Sequence, residues 1–180
     1  MKRIILIISC LLAFSFARAE GLRTPGFFGD NMVFQQKTDA NIWGWADAGA
    51  KVKVKVSWSK KSYSVKAGDD GFWKVAVSTP AATFDPQTVT ISSGKDKITL
   101  NDVLIGEVWL CSGQSNMEMP MGGWRFQPIE NGGQDMRDAR HCPGLRMVMI
   151  NKAVSDTALE DAAGNWWTTD SGHISEFSAT

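Results

Sequence analysis

One stretch of strictly alternating residues limits the fold more than any other feature of the sequence. In "KVKVKVSW", Lys51 to Trp58, valines occupy every second position and lysines stand between them. Successive side chains of a β-strand point to opposite faces, so this period of two predicts a strand with one face in a hydrophobic core. The lysine row could bind a polyanion, but a solvated outer face is the commoner role of such a row.

Short apolar or alternating runs of the same kind, separated by turn residues, extend over residues 20–102. A turn is expected at Asp69-Asp70-Gly71, and the sequence between the runs shows no repeat. Short strands at regular spacing with such turns are typical of an antiparallel β-sandwich. We therefore expect an N-terminal all-β sandwich over residues 20–102. Its further strands are predicted at "NIWGW", "SYSVKA", "FWKVAV", "QTVTISS" and "KITLNDVLIG".

The pattern changes at about Val103. The run "VLIGEVWLC" is nearly continuous in apolar residues, which predicts a strand covered on both faces in a parallel sheet. Further on, "GQDMRDARH" has helical polarity, Pro143-Gly144 ends that helix, and "LRMVMI" is typical of a second strand. Strand, connection, helix and strand are the beginning of a βαβ arrangement, so residues 103–180 are expected to start an α/β domain.

A serine follows the predicted buried strand, in "GQSNMEMP". Ser115 is expected at a tight turn on the carboxyl edge of the sheet, where open α/β folds bind ligands. Gly113 would permit close backbone approach, and amides after the turn could bind an oxyanion. Pro120 limits any helix here to about one turn. This arrangement suits a nucleophile, although Gly-x-Ser occurs often by chance and Asn116 could merely cap a helical turn.

The segment "VWLCSGQSNMEMPM" resembles the first conserved block of the SGNH (GDSL-type) hydrolases, in the form found in the sialate O-acetylesterase family. Four further segments carry the same resemblance: "FFGDNMVFQQ", "IWGWADAGAKVKV", "DDGFWKV" and "NWWTTDSGHISEFSAT". It implies a β-sandwich followed by a flavodoxin-like SGNH α/β hydrolase domain, and hydrolysis of acetyl esters on sialic acids without a cofactor. By motif, Ser115 is the implied nucleophile and its own backbone amide an oxyanion donor. Candidate substrate-binding residues are Gln114, Asn116, Trp124 and Arg125, of which the last two could equally be structural or solvated.

The remaining machinery of such enzymes has no match in this sequence. Family members take further oxyanion donors from later glycine and asparagine blocks, and the acid and histidine from a D-x-x-H motif near the carboxyl terminus. Residues 103–180 are too few for a five-stranded sheet with its crossover helices. The 180 residues are therefore expected to be the N-terminal portion of a longer enzyme, with a truncated hydrolase domain.

One literal D-x-x-H is present, at Asp170-Ser171-Gly172-His173. It could complete a Ser-His-Asp triad only if the fold brought it beside Ser115. It follows the serine too soon and its neighbours match a different family segment, so we interpret it as a decoy. His173 is then expected in a loop near the rim of the site, and His141 at a solvated helix end.

Residues 1–19 are expected to form a signal peptide. Lys2 and Arg3 precede the apolar run "IILIISCLLAFSF", and Ala17-Arg18-Ala19 has the form of a signal peptidase site. The protein is therefore expected to be secreted or periplasmic after cleavage near Ala19, without a membrane span. Lipidation at Cys10 is the less favoured alternative, because only about five apolar residues would precede it.

Two cysteines remain in the mature chain, Cys111 and Cys142, and both are expected to be unpaired. Cys111 could be a nucleophile, but it is predicted to lie inside the buried strand, whereas Ser115 lies at the turn. Two histidines and no clustered cysteines or carboxylates at ligand spacing give no support for a metal site.

Charge composition also restricts the function classes. Nineteen basic residues balance nineteen acidic ones, so no broad field favours nucleic acid or an anionic membrane. The expected partner is an O-acetylated sialic acid or another acetylated glycan. Two rival functions stay open: an esterase for acetylated plant polysaccharide such as xylan, and a non-catalytic sugar-binding β-module that would use some of the eight tryptophans. The sequence does not determine the oligomeric state.

Overall fold

The computed structural model describes residues 21–170 and 172–178, and strands far outnumber helices in it. The predicted signal peptide lies outside the described residues. The strands are β1 (Val33–Gln35), β2 (Asp39–Trp45), β3 (Lys51–Val56), β4 (Ser62–Lys66), β5 (Phe72–Ser78), β6 (Thr83–Ser93), β7 (Asp96–Gly106), β8 (Arg146–Ile150) and β9 (Gly164–Thr168). The helices are α1 (Ser115–Glu118) and α2 (Gly132–Ala139), and a 3-10 turn spans Ile174–Glu176.

Seven of the strands form two sheets. The larger sheet has the order β1-β7-β6-β3-β4, and β2 pairs with β5 in a two-stranded sheet. All of these pairs are antiparallel except β1 with β7, in which Val33 lies opposite Leu104. The predicted purely antiparallel arrangement is therefore wrong at β1. Parallel neighbours need a long connection, and the five strands between β1 and β7 supply it.

The two sheets share one hydrophobic core, which confirms the period-two prediction for β3. Val52, Val54 and Val56 are buried to 6% exposure or less, while the lysines between them are exposed. Trp73 of β5, 1% exposed, is the largest fully buried side chain. The rest of the core comes from the other strands and their flanking residues: Met32, Phe34, Ile42, Ala46, Tyr63, Ala67, Val77, Val89, Ile91, Leu100, Val103 and Ile105.

A glycine permits one close approach of two backbones at the edge of this core. Arg23 and Trp45 exchange two backbone hydrogen bonds of 2.9 Å, which draws the N-terminal segment across β2 at Gly44. A Cβ atom on Gly44 would lie 2.2 Å from the carbonyl oxygen of Arg23 and 3.0 Å from a ring carbon of Trp73. Only glycine fits this position without displacing backbone.

The strand predicted from Val103 to Cys111 is only partly present. Val103–Gly106 is the end of β7, and β7 crosses the predicted domain boundary after Asp102. Glu107–Gly113 contains no strand, and Trp109 and Leu110 are 84% and 93% exposed. The prediction of a buried strand over Glu107–Cys111 is wrong, because no neighbouring strand within the described residues pairs with it or covers it. The division into domains itself stays a prediction.

The predicted βαβ arrangement is also wrong within the described residues. β8 pairs antiparallel with β9, with Arg146 opposite Thr168. This hairpin is fixed to the β1–β7 region by polar contacts. The indole Nε1 of Trp166 donates to the carbonyl of Phe27 at 2.9 Å, and the nearly buried guanidinium of Arg146 lies 3.1 Å from Asp102 Oδ2.

Both helices are short. α1 has four residues and ends before Pro120, which confirms the predicted single turn. α2 has eight residues, begins one residue before the segment of helical polarity and ends ahead of Pro143. No helix of the described residues is long and apolar enough to cross a membrane.

Candidate functional site

Ser115 is the first residue of α1, and it is exposed. Gln114 precedes it as the N-cap residue, and Met117 N donates to the carbonyl of Gln114 at 3.0 Å, closing the turn. The first N–H of a helix, here that of Ser115, has no acceptor within the helix. The hydroxyl of Ser115 and its backbone amide therefore belong to the same exposed turn. The structure differs from the sequence prediction in one respect: an irregular segment, Glu107–Gly113, separates this turn from the sheet.

The start of that irregular segment is fixed to β1. Gln35 Nε2 donates to Glu107 Oε2 at 3.0 Å, and Gln36 Nε2 donates to Glu107 Oε1 at 2.6 Å. Val108 N returns a hydrogen bond to Gln35 Oε1 at 2.8 Å. The hydrogen bonds from Gln35 and then Gln36 hold the pKa of Glu107 below its ordinary value. The carboxylate is therefore the form that this arrangement favours.

The serine turn is packed tightly against its own glycine. A Cβ atom on Gly113 would lie 2.6 Å from Met117 Cγ, so the residue two positions before Ser115 has room for no side chain unless Met117 moves. Ser178 Oγ lies 3.9 Å from Met117 Sδ. Met117 thus links the serine turn to a segment more than sixty residues later in the chain.

The segment around the 3-10 turn lies alongside the exit from α1. Met121 N donates to the carbonyl of Phe177 at 2.7 Å, and Gly122 N donates to the carbonyl of Ser175 at 2.9 Å. Phe177 is only 9% exposed, so the residue that accepts the first of these hydrogen bonds has a buried side chain. The sequence reasoning missed this support. The proximity of "EFS" to "MPMGG" has no local signal in the sequence.

An ion pair at the end of α1 was also missed. Lys152 Nζ lies 2.6 Å from Glu118 Oε1, with both side chains at least half exposed. Exposed pairs of this kind contribute about 0–1 kcal/mol to stability, so this contact orients more than it stabilises.

The candidate binding residues Trp124 and Arg125 lie on a two-residue turn after the serine. Trp124 and Gln127 exchange backbone hydrogen bonds of 3.0 and 2.9 Å, and Gly123 before them has φ of 72°. Trp124 is 44% exposed and Phe126 is 83% exposed. The guanidinium carbon of Arg125 lies 5.1 Å from the centroid of the Phe126 ring. The structure thus adds Phe126, which the sequence reasoning missed, to the exposed side chains of this turn.

The residues of the literal D-x-x-H have partners of their own. Thr168 Oγ1 donates to Asp170 Oδ1, and this hydrogen bond is the largest cause of the lowered pKa of Asp170. The His173 ring stacks on Trp167 at 3.8 Å between centroids, and its Nδ1 lies 3.3 Å from Glu176 Oε1. Among the described residues, no hydrogen bond joins either of them to Ser115. Their interpretation as a decoy stays a prediction.

The other candidates for chemistry, two cysteines and a histidine, are exposed. Cys111 and Cys142 are free and exposed, so the expected burial of Cys111 inside a strand is wrong. His141 is exposed just after α2, where its backbone N–H donates to the carbonyl of Asp138 at 2.9 Å. In the part of the chain that the structure describes, no group of three or more histidine, cysteine or carboxylate side chains could hold a metal ion.

The chain is similar to known proteins over most of its length. No family model matches the chain. The sialate O-acetylesterase of Rattus norvegicus is 30% identical over 166 residues, and that of Homo sapiens is 32% identical over 151 residues. These matches cover 86% and 78% of this chain. The chain is a relative of the sialate O-acetylesterases. The predicted resemblance is thereby confirmed.

One solved structure is similar to this chain in fold. The crystal structure of a carbohydrate acetylesterase from Xanthomonas citri matches with a TM-score of 0.77 and 28% identity. The match covers 87% of this chain and 34% of the acetylesterase chain. The chain likewise spans about 30% of the length of the curated relatives.

Proposed function

We propose that this chain belongs to a secreted carbohydrate esterase that removes O-acetyl groups from sialic acids, with Ser115 as the nucleophile. One observation carries the proposal: Ser115 opens an exposed helical turn in a chain that is similar over most of its length to sialate O-acetylesterases.

Secretion rests on the sequence of residues 1–19. Its test is mass spectrometry of the exported protein, in which an intact Met1 or a lipidated Cys10 would overturn it.

In the proposed domain organisation, the sheets of β1 to β7 are a sandwich, and the residues that follow begin an SGNH α/β domain. The shared core of the two sheets supports the first part. The likeness to the carbohydrate acetylesterase structure supports the second. The rest of the hydrolase domain, with the acid and the histidine, would then come from sequence beyond this chain.

The proposed mechanism is two-step acyl transfer. The histidine base takes the proton of Ser115 Oγ while the oxygen attacks the acetyl carbonyl, and the oxyanion forms beside the backbone amide of Ser115. The C–O bond to the sugar breaks, and the sugar oxygen leaves with the proton from the histidine. Water then attacks the acetyl-enzyme, returns a proton to Ser115 and releases acetate. No step needs a cofactor.

Exposed side chains of the Trp124–Gln127 turn, which follows α1 in the chain, are proposed to hold the glycan. Arg125 offers a planar donor fork that matches a carboxylate, and Trp124 and Phe126 offer aromatic surface for a sugar ring. A carboxylate is present in sialic acid and absent from the acetylated xylose units of xylan. The exposed guanidinium therefore favours sialic acid over acetylated plant polysaccharide. Gln114 and Asn116, on either side of Ser115, are proposed to contact the acetyl group or its sugar.

The nucleophile is tested by acetate release from the protein encoded by the complete reading frame. Ser115→Ala should reduce kcat by on the order of a million-fold, as for loss of other triad nucleophiles. The matched control is Ser112→Ala, which removes another exposed serine hydroxyl three residues earlier and should leave activity within about twofold. Activity of Ser115→Ala near that of the wild type would overturn the assignment. Binding of glycans without reaction of Ser115 with a fluorophosphonate probe would favour the sugar-binding module.

The same assay tests the decoy interpretation. Asp170→Ala and His173→Ala should each keep activity within about tenfold of the wild type, since neither has a proton-transfer role. If folded His173→Ala is as inactive as Ser115→Ala, the triad lies within this chain.

Substrate class is tested by comparing acetylated sialic acid with acetylated xylan. Arg125→Ala should raise KM for the sialic acid by about tenfold and leave the xylan reaction unchanged, because only the first carries a carboxylate. Arg125→Lys should recover part of the loss, since lysine keeps the charge without the fork. Preferred hydrolysis of xylan, insensitive to Arg125, would support the plant-polysaccharide esterase.

A further inference from the structure

The outer side of the five-stranded sheet carries a continuous basic surface. The valines of β3 fill the core, so the lysines between them point outward. Directly paired residues of antiparallel strands lie on the same face, so the strand register identifies the remaining members. We call this surface the lysine face. It comprises Lys51, Lys53 and Lys55 of β3, Ser62, Ser64 and Lys66 of β4, Thr90 and Ser92 of β6, and Lys97 and Thr99 of β7.

The composition of the lysine face is one-sided. Every member is either a lysine or a hydroxyl residue, and the set contains no carboxylate. The whole chain has equal numbers of basic and acidic residues, so the compensating charges lie on other surfaces. A neutral protein with its charges sorted in this way has a positive potential over one face, which raises the local concentration of anions.

Protection of a sheet edge, one structural role of strand lysines, does not account for this surface. Lysines protect exposed sheet edges from pairing, but β3 lies inside the sheet and only β4 is at the edge on that side. Lys51 lies directly opposite Lys66, a like-charge pair that destabilises a sheet. Within the described residues, no lysine of this face forms an ion pair. The positive charges are thus left for a solvent ion or a partner.

The uncompensated charge is centred away from the Lys51 end. Lys51 borders a groove of about 460 Å³ that is also lined by Asp47, Lys95 and Asp96, so its surroundings carry charges of both signs. Lys53 and Lys55 stand clear of that groove, on the same side as Lys97. Residues two apart along a strand are separated by roughly 7 Å, and strands by roughly 5 Å, so these three ammonium groups form a flat array rather than a single point.

We propose that the lysine face binds an anionic polysaccharide, at a surface separate from the Ser115 turn. The lysines pair with carboxylate or sulfate groups along the polymer, and the serine and threonine hydroxyls between them hydrogen-bond to sugar hydroxyls. The face has no aromatic side chain on which bases could stack, which disfavours single-stranded nucleic acid. It also has no apolar side chain to enter a lipid headgroup layer, which disfavours a membrane.

Binding of the full chain to immobilised polygalacturonate and to immobilised heparin tests the proposal and separates carboxylated from sulfated polymers. Lys53→Ser/Lys55→Ser should weaken binding by about tenfold at 50 mM salt to whichever polymer the wild type binds, since fewer counterions are released. The matched control is Lys37→Ser/Lys74→Ser, which removes two exposed lysines outside the face and should weaken it by less than about twofold. Neutral dextran should not bind.

Four outcomes would overturn the proposal: no binding of the wild type to either polymer, equal weakening in both lysine pairs, binding of dextran, or tighter binding of duplex DNA or of phosphatidylglycerol vesicles than of the polysaccharides. Lys53→Arg/Lys55→Arg keeps the charge and should bind within about twofold of the wild type. If it loses binding as fully as the serine pair, charge is not the cause. Ser115→Ala should bind as the wild type does, so failure of the esterase proposal and failure of this one are distinguishable.

Discussion

At the scale of single residues, two glycines permit the close backbone and side-chain approaches described above. Gly44 lets the N-terminal segment cross β2, and Gly113 lets Met117 fold back beneath the serine turn. They differ in what a methyl group would meet. At Gly113 it would meet Cγ of the Met117 side chain, which can change rotamer, whereas at Gly44 it would meet a backbone carbonyl and a buried indole. Substitution should therefore be tolerated better at Gly113.

Gly44→Ala should lower the free energy of unfolding by about 1–3 kcal/mol or more, the usual cost of overpacking a core. The matched control is Gly29→Ala, because a Cβ atom there meets no atom within 4 Å. That variant should stay within about 0.5 kcal/mol of the wild type. Urea unfolding of both proteins gives the comparison, and equal stability of the two variants would contradict the close approach at Gly44.

At the scale of elements, the sequence predicted what local pattern determines. The period of two identified β3 and its buried valines, and Pro120 limited α1 to one turn. Glu107–Cys111 was misassigned because a continuous apolar run shows a need for cover without showing which strand supplies it. The support of the serine turn by Phe177 and by Lys152 was beyond prediction for the same reason. Such contacts join residues far apart in sequence, and nothing in either segment specifies the other.

The link between β1 and the segment after β7 should make stability depend on pH. The folded pKa of Glu107 is lowered from its ordinary 4.5, so its contribution is present above pH 4.5 and is lost as pH falls through the lowered value. Glu107→Gln should therefore be less stable than the wild type at pH 7, and the difference should shrink below pH 4.5. Chemical unfolding across this range measures it.

A double-mutant cycle supplies the control for that measurement. In a Gln35→Ala/Gln36→Ala background the two donors are gone and the charge of Lys37 still lowers the pKa of Glu107, so Glu107→Gln should change the pH dependence of stability much less. An undiminished pH-dependent difference in this background would mean that the hydrogen bonds from Gln35 and Gln36 are not the main cause of the lowered pKa of Glu107.

At the scale of the whole molecule, β7 makes the predicted boundary after Asp102 a poor place to divide the chain. The last residues of β7 include Val103 and Ile105, at 0% and 1% exposure, and Leu104 at 5%. They complete the core and provide the partner of β1. The irregular segment Glu107–Gly113, by contrast, forms no strand. We therefore propose a division after Gly106.

Two fragments should distinguish these boundaries. Residues 21–106 should fold alone and give a dispersed amide NMR spectrum, because they contain both sheets and their shared core. Residues 21–102 should be unfolded or much less stable, since loss of three buried aliphatic side chains costs several kcal/mol against a typical total of about 5–15 kcal/mol. Equally dispersed spectra would show that the end of β7 is dispensable.

The parallel pairing of β1 with β7 also has a consequence during synthesis. Leu104 follows its partner Val33 by 71 residues. At the usual elongation rate of about 5–20 residues per second, β1 waits roughly 4 to 14 s on the ribosome before its neighbour exists. The strands between them can pair with one another in that time, because their partners are closer in sequence. Of these seven strands, β1 is thus the first to be synthesised and the last to gain its partner. It stays unpaired in the nascent chain until translation passes Gly106.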